Sequence, residues 1–174
     1  FVYLLGGQTD EALGEAALPA AVCSTGSLSL WRSVAAPASV NSGAVALAAA
    51  GHLYLLGGEP DGTAVWTAKT GPDGSLLGWK SGQPLPVDLL GHGGVATDGP
   101  DGSCIFLLEG RESASLGGVL RSASVNPDGS LGPWQSPGVV PGWEFHWGPV
   151  RGFDVDGQAC FAAPVIGQGG FPGT

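Results

Sequence analysis

Methionine is absent from all 174 residues. A translated chain begins with one, so the sequence is expected to be a processed or partial piece of something longer. Charge is scarce as well. Charged residues make up 12%, about half the usual ~25%. Two explanations stay open: part of the surface is covered by neighbouring protein, or the chain comes from a proteome rich in alanine and glycine. Basic residues number 6 against 15 acidic ones, for a net charge of −9. Arg32, Lys69, Lys80, Arg111, Arg121 and Arg151 are scattered along the chain. Neutralising phosphates needs several cations on one face, so no nucleic-acid partner is expected, and no docking on an anionic membrane. The most apolar stretch, 43–58, is interrupted by Gly51-His52 and does not reach the ~20 residues of a span. No membrane insertion is expected, and no signal-peptide pattern is present.

Cysteines number 3, an odd count. Cys23, Cys104 and Cys160 show no Cys-x-x-Cys or Cys/His ligand spacing. They read as buried strand cysteines. A disulfide between two of them stays open, with no pairing indicated.

Glycine (32) and proline (14), by contrast, are abundant, which suits an all-β fold with many tight turns. The dominant feature is repetition. Val2-Tyr3-Leu4-Leu5-Gly6-Gly7 returns as Leu53-Tyr54-Leu55-Leu56-Gly57-Gly58, and again, weaker, as Ile105-Phe106-Leu107-Leu108-Glu109-Gly110. A worn fourth copy is read at Cys160-Phe161-Ala162-Ala163. The spacing is roughly 50 to 55 residues, in the range of repeat architectures. Around the second copy, strands are expected at 44–50, 52–56 and 64–70, with Val65 and Thr67 on one face and Trp66 on the other. A Pro72-Asp73-Gly74-Ser75 turn follows, where proline presets one φ and glycine accepts a positive one. A fourth strand is expected from Leu77-Gly78-Trp79 to Leu85-Pro86. The third copy repeats this order with strands at 94–97, 104–108 and 119–125, the turn Pro127-Asp128-Gly129-Ser130, and a fourth strand opening at Leu131-Gly132-Pro133-Trp134. The first copy is expected to hold strands at 1–5 and 20–24, the turn Thr25-Gly26-Ser27, then Leu30-Trp31. A fourth unit is expected to begin near His146 and stop near Val165.

Gly-Gly after an aromatic-containing strand, then Pro-Asp-Gly-Ser-Leu-Gly-x-Trp, then Leu-Pro, resembles the kelch repeat in the variant common in bacterial and secreted propellers. The resemblance spans nearly the whole chain. It rests on Gly6, Gly7, Gly57, Gly58, Trp31, Trp79, Trp134 and the two Pro-Asp-Gly-Ser turns. Glu109 stands where a glycine is expected, the fourth copy lacks the pair, and the Arg-x-x-His that often follows Leu-Pro is reduced to Gly91-His92. The resemblance implies an all-β, kelch-like β-propeller of four-stranded antiparallel blades, roughly three to four of which are present. The expected division is a partial blade at 1–36, blades at 37–88 and 89–141, a partial blade at 142–167 and a tail at 168–174. Propellers close with four to eight blades, so this arc is expected to belong to a larger one. Its edges would pair with the remaining blades of the same protein or with another chain. The resemblance also implies an extracellular or cell-surface setting.

Some kelch propellers are copper oxidases that use tyrosine and histidine. Here Tyr3 and Tyr54 occupy a repeated position that holds Phe106 and Phe161 in the other copies, which points to packing instead of ligation. Other members act on sialic acid, and no catalytic set for that is recoverable here. Asp98-x-x-Asp101-Gly102 and Asp154-x-Asp156-Gly157 fall short of a calcium loop and read as turns. No Gly-x-Ser-x-Gly, P-loop or His-Glu-x-x-His occurs. Of the histidines, His52 reads as a turn residue, while His92 and His146 open first strands in adjacent units and are candidates for one rim. Trp31, Trp79 and Trp134 recur and are expected to pack between blades. Trp66, Trp143 and Trp147 break the repeat. With Phe145, the pair Trp143 and Trp147 forms a candidate binding face, since aromatics are enriched at interface centres and also stack on sugars. The acidic insertion 8–18 is a second candidate. The expected function is non-enzymatic: a binding or assembly module contacting protein, or glycan, within a larger structure, without a cofactor. The alternative is a fragment of an oxidase-like or carbohydrate-acting enzyme whose site lies in further blades.

Overall fold

The computed structural model describes residues 1–5, 16–37, 43–108, 118–140 and 150–162. Those residues hold strands and turns and no helix. Every strand pair is antiparallel. The first sheet has the order β1 (Val2–Leu5), β2 (Ala16–Ala20), β3 (Val34–Ala35). The second is a four-stranded meander of β4 (Val45–Ala49), β5 (His52–Leu56), β6 (Val65–Thr70) and β7 (Leu76–Ser81). The third repeats it with β8 (Gly93–Gly99), β9 (Gly102–Leu108), β10 (Gly118–Ser124) and β11 (Gln135–Val140). The last sheet pairs β12 (Arg151–Val155) with β13 (Gln158–Ala162).

Local sequence explains the hairpins. Ala50 and Gly51 carry φ of 47° and 73° between β4 and β5, and Asp156 and Gly157 carry 51° and 79° between β12 and β13. Two successive positive φ values make the tight hairpin whose twist matches its strands. The Asp156-Gly157 step is therefore a turn, and the Asp154 carboxylate accepts the Gly157 amide (3.1 Å). In β7, Gly78 (φ 66°) forms a bulge where the register slips between Ala68 and Lys69.

The second, third and last sheets stack through their first strands, with β8 against both β4 and β12. Glycine makes this approach possible. A Cβ on Gly94 of β8 would sit 2.7 Å from Val45 Cγ1 and 2.9 Å from Leu107 Cδ2. One on Gly152 of β12 would collide with the Gly94 backbone. Alternation then assigns the faces. Leu47 pairs with Tyr54 and Val45 with Leu56, so these look toward the third sheet, while Leu53 and Leu55 look the other way. From the third sheet, Ile105 and Leu107 meet them. With Ala49, Val65, Leu85 and Leu89 they form one buried core, flanked by Val125, Leu131 and Trp134.

Several strand limits differ from expectation. The second strand of the first sheet is Ala16–Ala20, not 20–24, because residues 21–29 close on themselves: the Ser29 amide bonds the Ala21 carbonyl (2.9 Å). Cys23 consequently lies exposed in a turn instead of buried in a strand, while Cys104 and Cys160 are half-buried, and all three are free thiols. Leu30 and Trp31 precede the short β3. β7 ends at Ser81 instead of reaching Leu85-Pro86, because Pro84 and Pro86 have no amide to give a ladder. The Leu85 amide turns back to the Thr63 carbonyl (2.9 Å). Leu131 makes only a single bridge to Val125, and β11 starts after Pro133 and Trp134. In the last sheet, Phe161 pairs with Gly152 and Cys160 with Phe153. Gly152 abuts the third sheet, so Phe161 faces inward and Cys160 takes the outward position that Tyr54 holds in the second sheet.

Candidate functional site

The structure repeats one junction. In the second and third sheets the third strand leads into a five-residue turn held the same way. In 71–75 the Gly71 amide donates to the Ser75 carbonyl (2.8 Å) and the Gly74 amide to the Gly71 carbonyl (3.0 Å). In 126–130 the Asn126 amide donates to Ser130 (2.9 Å) and the Gly129 amide to Asn126 (2.9 Å). The motif's aspartate closes the turn by accepting the serine amide, at 3.0 Å for Asp73 and for Asp128. Hydrogen bonds from the serine side chain and then its amide hold both carboxyls below the usual carboxylate range. The same turn stands at 23–27, where the Cys23 amide meets the Ser27 carbonyl (2.7 Å) and the Gly26 amide the Cys23 carbonyl (2.9 Å).

A tyrosine from the preceding sheet clasps each of the two later turns. The Tyr54 hydroxyl donates to the Gly129 carbonyl at 3.0 Å, and the Tyr3 hydroxyl donates to the Gly74 carbonyl at 3.2 Å. A second ring lies two residues upstream of each tyrosine and covers the same glycine. A side chain on Gly74 would collide with the Phe1 ring, and one on Gly129 with His52. The ring pairs share one geometry, with centroids 6.4 Å apart for Phe1–Tyr3 and 6.4 Å for His52–Tyr54. Burial raises both phenol pKa values, as its largest cause. At the first junction Arg32 Nη2 also bonds the Asp73 carbonyl (2.6 Å), and Trp79 Nε1 donates to the Ala35 carbonyl (2.8 Å).

Among the described residues, nothing clasps the turn at 23–27 in this way. A side chain on Gly26 would meet nothing within 4 Å. The apolar residues around it are bare. Val2 and Leu4 stand 41% and 54% exposed, whereas their repeat equivalents Ile105 and Leu107 are at 0%. Val22, Leu28 and Trp31 are exposed too. Their counterparts Val125, Leu131 and Trp134 pack on the core against the second sheet. At the other end, Phe153 and Val155 of β12 are 47% and 46% exposed, on the face away from Gly152.

Among the sequence candidates, Trp79 and Trp134 are half-buried and Trp31 is exposed. Gly57 and Gly58 have φ of 66° and 88°. A Cβ on Gly57 would sit 2.7 Å from the Leu89 carbonyl and 2.8 Å from the His92 ring. His92 is 4% exposed and neither ring nitrogen has a hydrogen-bond partner among the described residues. It lies in the interior beside the Gly57-Gly58 pair, and burial lowers its pKa to about 4. Gly6, Gly7, Trp143, Phe145, His146 and Trp147 lie outside the described residues, as do most of 8–18 and the tail 168–174. Among the described residues no cluster of His, Cys, Asp and Glu could hold a metal ion. A groove of about 350 Å³ runs along the second junction between Tyr54, Lys80, Gln83 and Asp128. Phe1, His52 and Arg32 escaped sequence reasoning, although the recurrence of tyrosine and of the turn signalled a shared junction.

No protein-family model matches this chain, and no curated protein matches it.

Proposed function

We propose that the chain is an arc of a kelch-like β-propeller, each sheet a whole or partial blade, acting as a binding and assembly module instead of a catalyst. The observation that carries this reading is the recurring junction: at both places where the turn has a preceding sheet, a tyrosine of that sheet bonds the turn's glycine carbonyl. Adjacent first strands on β4, β8 and β12 add support, because radial packing brings first strands together. The described side chains are spent on holding sheet to sheet, and the faces left open are apolar, as suits contact with protein.

Cryo-electron microscopy of the native full-length protein, purified from its source, tests the reading. The expected image is a ring of similar sheets with first strands on the axis and partner density against it. A stack without a rotational axis, or an unaccompanied protein that turns over a substrate on these sheets, would overturn it.

A further inference from the structure

We propose that the groove between the two four-stranded sheets is a binding site for a guanidinium group, the head of an arginine. The inference goes beyond the function proposed above and stands whether or not the sheets close into a ring.

The molecule supplies its own template. The strand registers align Arg32 and Ala35 of the first sheet with Lys80 and Gln83 of the second. At the first junction two bonds cross from sheet to sheet. Arg32 Nη2 donates to the Asp73 carbonyl at 2.6 Å, and Trp79 Nε1 donates to the Ala35 carbonyl at 2.8 Å. At the second junction neither bond is made among the described residues. Lysine stands in the arginine's place, and the Asp128 carbonyl, equivalent to that of Asp73, has no donor there. The Trp134 indole nitrogen, equivalent to that of Trp79, is buried and has no partner among the described residues. The groove of about 350 Å³ opens in place of the missing cross-links, along Lys80, Gln83 and the turn 128–131. The reason lies in the two cations. A guanidinium is a planar fork of donors, whereas an ammonium is a compact, strongly hydrated point charge on a flexible stem. Lys80 is exposed and keeps its charge in water. What the groove lacks is therefore what Arg32 supplies at the first junction. The chemistry for it is in place. The Asp128 carbonyl is an unused acceptor, and Ser130 occupies only one oxygen of the Asp128 carboxylate, leaving the other as countercharge. Gln83 adds an amide, and Val65 and Leu131 add apolar wall for a methylene stem. The net charge of −9 favours the approach of a cation.

Amide NMR of the 174-residue chain tests the site, with Nα-acetyl-arginine amide, its lysine counterpart and free arginine as probes. The capped arginine should shift the amides of 80–83 and 128–131 saturably. The lysine probe should bind about tenfold more weakly, the worth of one lost charge-assisted hydrogen bond. Equal affinity for capped and free arginine assigns the source as an arginine side chain of a polypeptide, and tighter binding of free arginine assigns the amino acid itself. Either result supports the guanidinium site. Lys80→Arg should fill the groove from within and lose the probe's shifts, with the rest of its spectrum unchanged. Lys80→Gln, which removes the ammonium without supplying a fork, should keep them. Absence of saturable shifts at these amides, or equal shifts with the lysine probe, would overturn the proposal. So would a Lys80→Arg chain that still binds, or a Lys80→Gln chain that does not. None of these outcomes touches the ring reading, which the image of the native protein decides.

Discussion

Two side chains show how much a single polar atom carries. The Tyr54 hydroxyl is the one atom by which that residue differs from Phe106 at the equivalent position, and it bonds a carbonyl in the next sheet. Tyr54→Phe should lower stability by about 1 kcal/mol, read as a lower urea midpoint at unchanged slope. His92 works in the opposite sense. It is held neutral by burial, with its pKa lowered from 6.5 to about 4. The unfolded chain takes up the proton first, so His92 contributes stability above pH 6.5 that is lost as pH falls toward 4. The integrated loss is of order 3 kcal/mol at most, since one pKa unit is about 1.4 kcal/mol. Urea midpoints measured from pH 7.5 to 4.5 should fall in wild type and stay flatter in His92→Leu. A parallel fall in both would assign the effect to other groups.

At the level of the element, the five-residue turn recurs in different surroundings. Gly26, Gly74 and Gly129 share φ values of 82°, 76° and 83°. Alanine at any of them meets the left-handed penalty of about 1–2 kcal/mol. Only Gly74 and Gly129 lie under a ring from the preceding sheet. Gly74→Ala and Gly129→Ala should therefore cost clearly more than Gly26→Ala, which should stay near about 1 kcal/mol in thermal or urea unfolding. Equal costs at all three would mean that the rings yield freely and that the clasp is weak. Gly152 is a stricter case, because a Cβ there meets backbone instead of a movable ring. Gly152→Ala should push β12 away from β8.

Across the whole molecule, position in the stack decides what a residue is worth. Leu4 and Leu107 occupy one repeat position, the first exposed and the second fully buried. Leu107→Ala should cost about 2–5 kcal/mol. Leu4→Ala in the monomer should stay within about 0.5 kcal/mol of wild type, as surface changes do. Both come from denaturant titrations at a concentration low enough to keep the chain monomeric. The scarcity of charge fits the same picture, since the outer faces of the first and last sheets carry Val2, Leu4, Phe153 and Val155 where a solvated sheet would carry polar residues.

The sequence by itself determined the local events. The strands at 52–56 and 104–108, the turn at Asp156-Gly157 and the Pro-Asp-Gly-Ser turns all depend on a few neighbouring residues, and each was legible, whereas Ala50, placed in a strand by the sequence reading, turns with Gly51. Repetition made the antiparallel sheets legible too, because equal patterns demand equal pairing. Where a strand stops was harder. β7 ends at Ser81 because the following prolines lack amides and Leu85 finds a partner at Thr63, a bond between distant residues. The last sheet was misaligned by one residue, since a worn motif does not reveal register and a slip of one exchanges the faces. Only the tertiary structure decided that Tyr3 and Tyr54 reach the next turn, that His92 is interior, and that the same apolar residue is core in one copy and open surface in another. Burial is a property of what lies opposite, and no side chain carries that information in its own neighbourhood of the chain.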